Sequence, residues 1–211
     1  MKNILVTGGA GYIGSHIVEL LLKNKFKTFI VDNLSTGYKK LINKKAKFFK
    51  VDLNEHKKIN EIIKKYNIDS IIHLAAKTNI SEAQRKPKIY YRDNVSGTRN
   101  LIRACNNTKV KNFLYSSTCA VYSKKICKVK ETSKTYPSGV YGSTKLKGEK
   151  IVKKKFKKNY AILRYFNVVG ASSSKKIGQI VKADQLFKNL SLSILRKNPV
   201  FNIYGDDYKT L

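Results

Sequence analysis

The chain has 211 residues, 42% of them hydrophobic, and 44 Lys and Arg against 13 Asp and Glu give a formal charge of +31. Length and composition exclude a disordered chain and leave room for one sizeable core, as one domain or one plus a fragment of a second. Only six of the basic residues are Arg (85, 92, 99, 103, 164 and 196) and the lysines are scattered, so the charge reads as a decorated surface that draws anionic metabolites toward a cleft, with no specific nucleic-acid site.

The first run, NILVTG (3–8), is β-branched and breaks into glycines before an apolar helix that continues to about residue 23. KTFIVD (27–32) and AKFFKVDL (46–53) read as the next strands, followed by a helix near 57–66 and a strand SIIHLAA (70–76). A helix from about 94 to 106, a strand NFLYSS (112–117), a loop over 123–139, a helix from about 140 to 156 and a strand YAILRYFNVVG (160–170) complete the order. KKKFKK (153–158) reads as the solvated end of that last helix. Strand alternating with helix predicts an α/β fold, a doubly wound parallel sheet covered on both faces, because parallel strands need crossovers.

Three cysteines (Cys105, Cys119, Cys127) make no CxxC pair, and His16, His56 and His73 share no ligand spacing, so neither a disulfide framework nor a metal site is expected. No signal-peptide h-region follows Met1, and no apolar run approaches bilayer length; the expectation is a cytoplasmic protein without a membrane partner.

In such a sheet ligands gather at the carboxyl ends of the strands, near the point where strand order reverses. The first strand ends in Gly8, Gly11 and Gly14, a spacing that permits a tight turn, close approach of a diphosphate to free helix amides, and close packing of helix on strand. Asp32 ends the second strand, 18 residues after Gly14, where its carboxylate can accept from ribose hydroxyls and repel an extra 2′-phosphate, which favours NAD over NADP. Asp52 follows the third strand and is read either as an adenine neighbour or as a helix N-cap.

Tyr141 and Lys145 stand at i and i+4 on one helix face, and no other tyrosine in the chain has a lysine four residues on. The lysine, with the charge of an oxidised nicotinamide, is expected to draw the phenol toward phenolate, so that Tyr141 takes a proton from a substrate hydroxyl. Ser116, Ser117 and Thr118 end the preceding strand, where a hydroxyl can complete a proton path.

TGGAGYIGSH, VDNLSTG, IIHLAA, YYRDNVSGT, NFLYSSTCAVY, YGSTK and LRYFNVVGA, in that order and spacing, resemble the blocks of the extended short-chain dehydrogenase/reductases, and within them the UDP-glucose 4-epimerases. The resemblance spans essentially the whole chain. It implies a Rossmann fold, with 1–170 as the NAD-binding domain and 171–211 as the start of a nucleotide-sugar-binding lobe most of which is missing. It also implies that Gly8, Gly11, Tyr12, Ile13, Gly14, Asp32, Asn33, Asp52, Leu53, Ala75, Asn94, Tyr141 and Lys145 contact NAD. Tyr141, Lys145 and Thr118 would be catalytic, and Thr118, Tyr141 and Asn167 would face a UDP-sugar substrate.

The related 4,6-dehydratases carry Thr-Asp-Glu where this chain has Thr118-Cys119-Ala120, and elimination of water needs those carboxylates. Their absence points to epimerisation: C4 oxidation to a 4-keto sugar and re-reduction on the opposite face, with NAD retained. The other readings are a different nucleotide-sugar epimerase, an NAD-dependent reductase of the same superfamily, or a non-enzymatic dinucleotide- or polyanion-binding protein. The resemblance also implies a homodimer through helices at about 94–106 and 140–156. FNIYGDDYKTL (201–211) resembles the start of a block that continues for a further hundred or so residues in the family, so this chain is expected to bind NAD at best and to epimerise poorly or not at all.

Overall fold

The computed structural model describes residues 2–123, 128–180, 186–196 and 199–201. The chain forms two compact units, Met1–Gly178 and Gln179–Leu211. Cys127 and nearly all of the 201–211 block lie outside the described residues.

The first unit is a six-stranded sheet of β1 (Asn3–Thr7), β2 (Lys27–Asp32), β3 (Lys47–Lys50), β4 (Ser70–His73), β5 (Asn112–Thr118) and β6 (Asn159–Tyr165), in spatial order 3-2-1-4-5-6. Every pairing is parallel. Strand order reverses between β1 and β4, so a crevice opens there at the strand carboxyl ends.

Alternate residues of the central strands point to opposite faces, and both faces are apolar because helices cover both. Ile4 and Val6 of β1 and Ile30 of β2 pack with Val18 of α1 (Tyr12–Lys23). Leu5, Phe29, Ile71 and Phe113 pack on the other face with Ile59 and Ile63 of α2 (His56–Lys65), Leu101 and Val152. Leu101 belongs to α5 (Gly97–Ala104) and Val152 to α6 (Val140–Lys155). The lysine run at 153–158 is solvated at Lys153–Lys155, but Phe156 turns inward, 5.2 Å from the Phe113 ring between centroids.

Several strands are shorter than their apolar runs predict. β4 ends at His73, not at 76, because Leu74 makes a last ladder bond to the Thr7 carbonyl and the chain then leaves the sheet at the switch point. β3 covers 47–50 and β6 stops at Tyr165, short of the expected 53 and 170.

The helix expected from 94 opens instead as π-helical turns, Tyr91–Ser96, before α5 begins. Such turns widen a helix by one residue and commonly mark functional positions. Two short helices, α3 (Ile80–Arg85) and α4 (Pro87–Tyr90), lie ahead of it in a stretch without helical periodicity; their signals are an Asn79 side chain that caps the Glu82 amide at 2.7 Å and a proline at the first helical position.

The second unit carries α7 (Leu186–Ile194). Ser193 Oγ donates to the Val200 carbonyl at 2.6 Å and Lys188 Nζ to that of Ile180 at 3.0 Å. Among the described residues no helix is long and apolar enough to cross a membrane.

Candidate active site at the carboxyl end of the sheet

The turn after β1 is as tight as a turn can be made without side chains. Gly8 has φ +75°, its amide donates to the Val31 carbonyl at 2.9 Å, and an added Cβ would stand 2.6 Å from the Ala75 amide nitrogen. A left-handed residue wedged against a neighbouring backbone must be glycine. Gly14 packs against the same turn, and Gly11 opens α1 without a side-chain cap. The first amides of α1, at Tyr12, Ile13 and Gly14, therefore form an anion-favouring helix start. Tyr12 also donates its hydroxyl to the Gly170 carbonyl at 2.6 Å, joining this helix start to the segment after β6.

Beside the turn lies an open cleft whose walls include Asp32, Asn33, Asp52, Leu53 and Ala75. Ser35, Thr36, Lys77 and Asp93 also line it and were not singled out from sequence. Asp32 accepts from the amides of Ala10 (3.0 Å) and Leu34 (2.8 Å); burial pushes its carboxyl up while these two bonds pull it down, and burial prevails. Asn33 donates to Asp52 at 2.7 Å, and the other Asp52 oxygen accepts from the Asn54 amide at 2.8 Å. Burial raises the Asp52 carboxyl, but the bonds from Asn54 and Asn33 outweigh it and hold the group below the usual range. Asp52 thus supports a turn ahead of α2, and Glu55, not Asp52, stands at the helix N-cap.

Asn94 is buried in the π-helical turns and ties two walls together. Its Oδ1 accepts from the Lys77 amide at 2.8 Å, while its Nδ2 donates to the Lys77 carbonyl at 3.0 Å and to Thr144 Oγ1 at 3.1 Å. The widened helix thereby braces the strap after β4 against α6, one residue from Lys145.

Helix α6 reaches the end of β5 through two glycines that sequence reading passed over. A Cβ on Gly142 would lie 2.3 Å from the Ala120 carbonyl oxygen, and one on Gly148 would lie 1.9 Å from the Tyr115 hydroxyl. This approach puts the Tyr141 phenol within hydrogen-bonding reach of the Thr118 hydroxyl. Lys145 is buried, with Nζ 4.7 Å from the centroid of the Tyr115 ring. Asn167 is exposed on the segment that follows β6.

The electrostatics differ from the simple expectation. Burial raises the Tyr141 phenol, against the lowering effect of the Thr118 bond. Lys145 is itself pushed down to about 7 by burial, opposed by Glu149. A half-charged lysine facing the Tyr115 ring does not lower its neighbour as a full surface charge would, so in the ligand-free protein the phenol stays protonated.

His73 is no ligand. Thr98 donates its hydroxyl to the Asn94 carbonyl at 2.6 Å, so it accepts from His73 Nε2 at 2.9 Å, which leaves Nδ1 to accept from Thr7 Oγ1 at 2.8 Å. Burial, and after it the charge of Lys145, hold the ring neutral with a pKa of about 3. Among the described residues no group of three His, Cys, Asp or Glu side chains could hold a metal.

A family model for the NAD dependent epimerase/dehydratase family matches residues 4–195. The chain belongs to this family. It is 38% identical over 212 residues to a UDP-glucose 4-epimerase of Lactobacillus helveticus, which aligns with 98% of this chain and of which the chain covers 64%. Among solved family members, the UDP-glucose 4-epimerase of Brucella ovis in complex with NAD superposes with a TM-score of 0.92 at 33% identity, over 100% of this chain and 66% of that one. The enzyme of Stenotrophomonas maltophila with bound NAD and formylated UDP-arabinopyranose gives 0.94 at 31% identity, over 100% and 67%. The chain thus spans 64% of the length of its curated relative.

Proposed function

We propose that this chain binds NAD and carries the reacting groups with which a UDP-glucose 4-epimerase interconverts UDP-glucose and UDP-galactose. The observation that carries the reading is the Tyr141 phenol paired with the Thr118 hydroxyl, one helical turn from buried Lys145, at the open end of a sheet whose first turn is built from Gly8, Gly11 and Gly14. The fit to the dinucleotide is in the cradle: Cβ atoms would fill the turn, and Asp32 and Asn33 stand beside it in the cleft.

In this reading the amides of Tyr12, Ile13 and Gly14 hold the diphosphate, and Asp32 takes the adenosine ribose hydroxyls. Asn33, Asp52, Leu53, Ala75 and Asn94 shape the remaining wall, and Lys145 holds the nicotinamide ribose. NAD, when bound, supplies a hydride acceptor and donor. Tyr141 removes the proton of the sugar C4 hydroxyl and later returns it, while Thr118 orients the phenol and shares its proton. Thr118-Cys119-Ala120 lacks both carboxylates that a dehydratase uses to eliminate water, which favours epimerisation. Asn167 faces the UDP-sugar, residues 1–170 form the NAD domain, and residues 171–211 begin the sugar lobe. The exposed faces of α5 and α6 pair two copies, and the protein works in the cytoplasm.

Equilibrium NAD binding, read by protein fluorescence, carries the test, with conversion of UDP-galactose in a coupled assay as the second arm. Micromolar or tighter NAD binding supports the reading, and no binding at millimolar NAD overturns it. A panel of nucleotide sugars separates a UDP-glucose epimerase from another epimerase or a reductase.

A further inference from the structure

One buried ion pair near the site takes no part in the chemistry described above. Glu149 lies on α6 one turn beyond Lys145, and its side chain is 2% exposed against 15% for its partner Arg164 on β6. Arg164 grips the carboxylate with a fork, Nε to Oε1 at 2.9 Å and Nη2 to Oε2 at 2.8 Å. Ser117 Oγ, next to Thr118, donates to Oε1 at 2.5 Å. The remaining Arg164 nitrogen, Nη1, donates to Tyr122 Oη at 2.7 Å and to the Glu131 carbonyl at 3.0 Å, and the guanidinium stacks 4.8 Å from the Tyr122 ring centroid.

A single carboxylate and its cation therefore tie together α6, β5, β6 and the stretch between β5 and α6. Buried ion pairs are poor stabilisers next to apolar residues of the same volume, because both charges lose their water. What such a fork supplies is fixed geometry. Here the fixed parts are the two elements that must bring Tyr141 and Lys145 to Thr118.

We propose that Glu149 and Arg164 are positioning residues for the reacting group: they lock α6 onto the ends of β5 and β6, and they hold a carboxylate one helical turn from Lys145. The proposal rests on the assignment of Lys145 and Tyr141 made above. Among the described residues, the titratable groups around Lys145 are Glu149 and Tyr141 on its own helix, the Tyr115 ring on β5, and neutral His73 on β4, with Arg164 of β6 reaching it through Glu149. Glu149 is the anion of that set at neutral pH, since the bonds from Arg164 and Ser117 outweigh burial and hold its carboxyl below the usual range.

The test follows NAD affinity from pH 6 to 9 in the wild-type chain, E149Q and R164Q. Affinity is expected to break downward near pH 7 in the wild type, as Lys145 loses its proton. E149Q keeps an acceptor for Arg164 and Ser117 but removes the charge, and it moves the break down by about one pH unit. R164Q removes the cation that offsets Glu149, leaves the carboxylate to act on Lys145 and Lys153, and moves the break up. Opposite displacements are a signature that loosened packing cannot produce; breaks that stay in place while binding weakens at every pH, or that move in the same direction, overturn the proposal.

Urea unfolding of the same three proteins gives a readout that needs no NAD: the pH at which stability begins to climb above neutrality must move in the same opposite senses. If the wild type binds no NAD, the functional reading fails and the unfolding profiles alone decide this one. If one variant does not fold, the direction of the other decides it.

Discussion

A Cβ placed on Gly14 would stand 2.1 Å from the carbonyl oxygen of Gly8, so the first turn of α1 rests directly on the backbone of the turn that feeds it. Neither partner of that contact is a flexible side chain that can move aside. G14A is expected to destabilise the fold by about 1–3 kcal/mol, as overpacking does, and to weaken NAD binding more than tenfold by opening the helix start. Urea denaturation and NAD titration of the variant check both.

Asp32 is held by the Ala10 and Leu34 amides, which fix its carboxylate at the cleft wall. D32S removes the carboxylate that accepts from the ribose hydroxyls, a charge-assisted bond worth about 1.5–3 kcal/mol. NAD affinity should fall roughly ten- to hundredfold on that figure. NADP affinity should rise, because the like charge is gone, and paired titrations with the two dinucleotides measure the exchange.

The Tyr141 phenol and the Thr118 hydroxyl act on each other but do not share one task. Y141F removes the group that takes the C4 proton and should lower sugar turnover by about 10²–10⁴, with NAD affinity within about twofold of wild type. T118A should cost less, since the phenol remains. Turnover in the coupled assay, set beside NAD titration, separates a lost proton acceptor from a damaged cradle.

Stability should depend on pH in two windows. His73 has a folded value of about 3 against an ordinary value of 6.5, so the unfolded chain binds the extra proton between them, and stability is lost as pH falls from about 6.5 toward 3. Lys145 has a folded value of about 7 against an ordinary 10.5, so the unfolded chain again holds more protons, and stability climbs as pH rises above about 7. Each group contributes at most about 1.4 kcal/mol per pH unit. Cys105 works the other way: burial pushes its thiol up to about 12 from 9.0, so above pH 9 its contribution falls and offsets the climb. Urea midpoints from pH 4 to 10 should therefore rise, continue upward past 7 and level near 9, and K145M should flatten the segment from 7 to 9.

Most strands and long helices, and the strand ends where ligands gather, are legible in the sequence because their signals are local. The short apolar run of KTFIVD, three glycines at a strand end, an aspartate closing the next strand and a Tyr-Lys pair at helical spacing can each be read without knowing what lies across the fold. The widened helix at Tyr91–Ser96 was hidden because its cause is distant: Asn94 answers to Lys77 and Thr144, 17 and 50 residues away. Gly142 and Gly148 carry no local signal of their role, and only the approach of Ala120 and Tyr115 shows why they are required. The protonation of the reacting pair was likewise beyond sequence. Spacing placed Lys145 beside Tyr141, but burial raises the phenol and lowers the ammonium, and the Arg164 fork on Glu149 exists only once β6 is laid beside β5. Backbone preference is written in neighbouring residues, whereas desolvation and ion pairing depend on what the folded chain brings within a few ångströms.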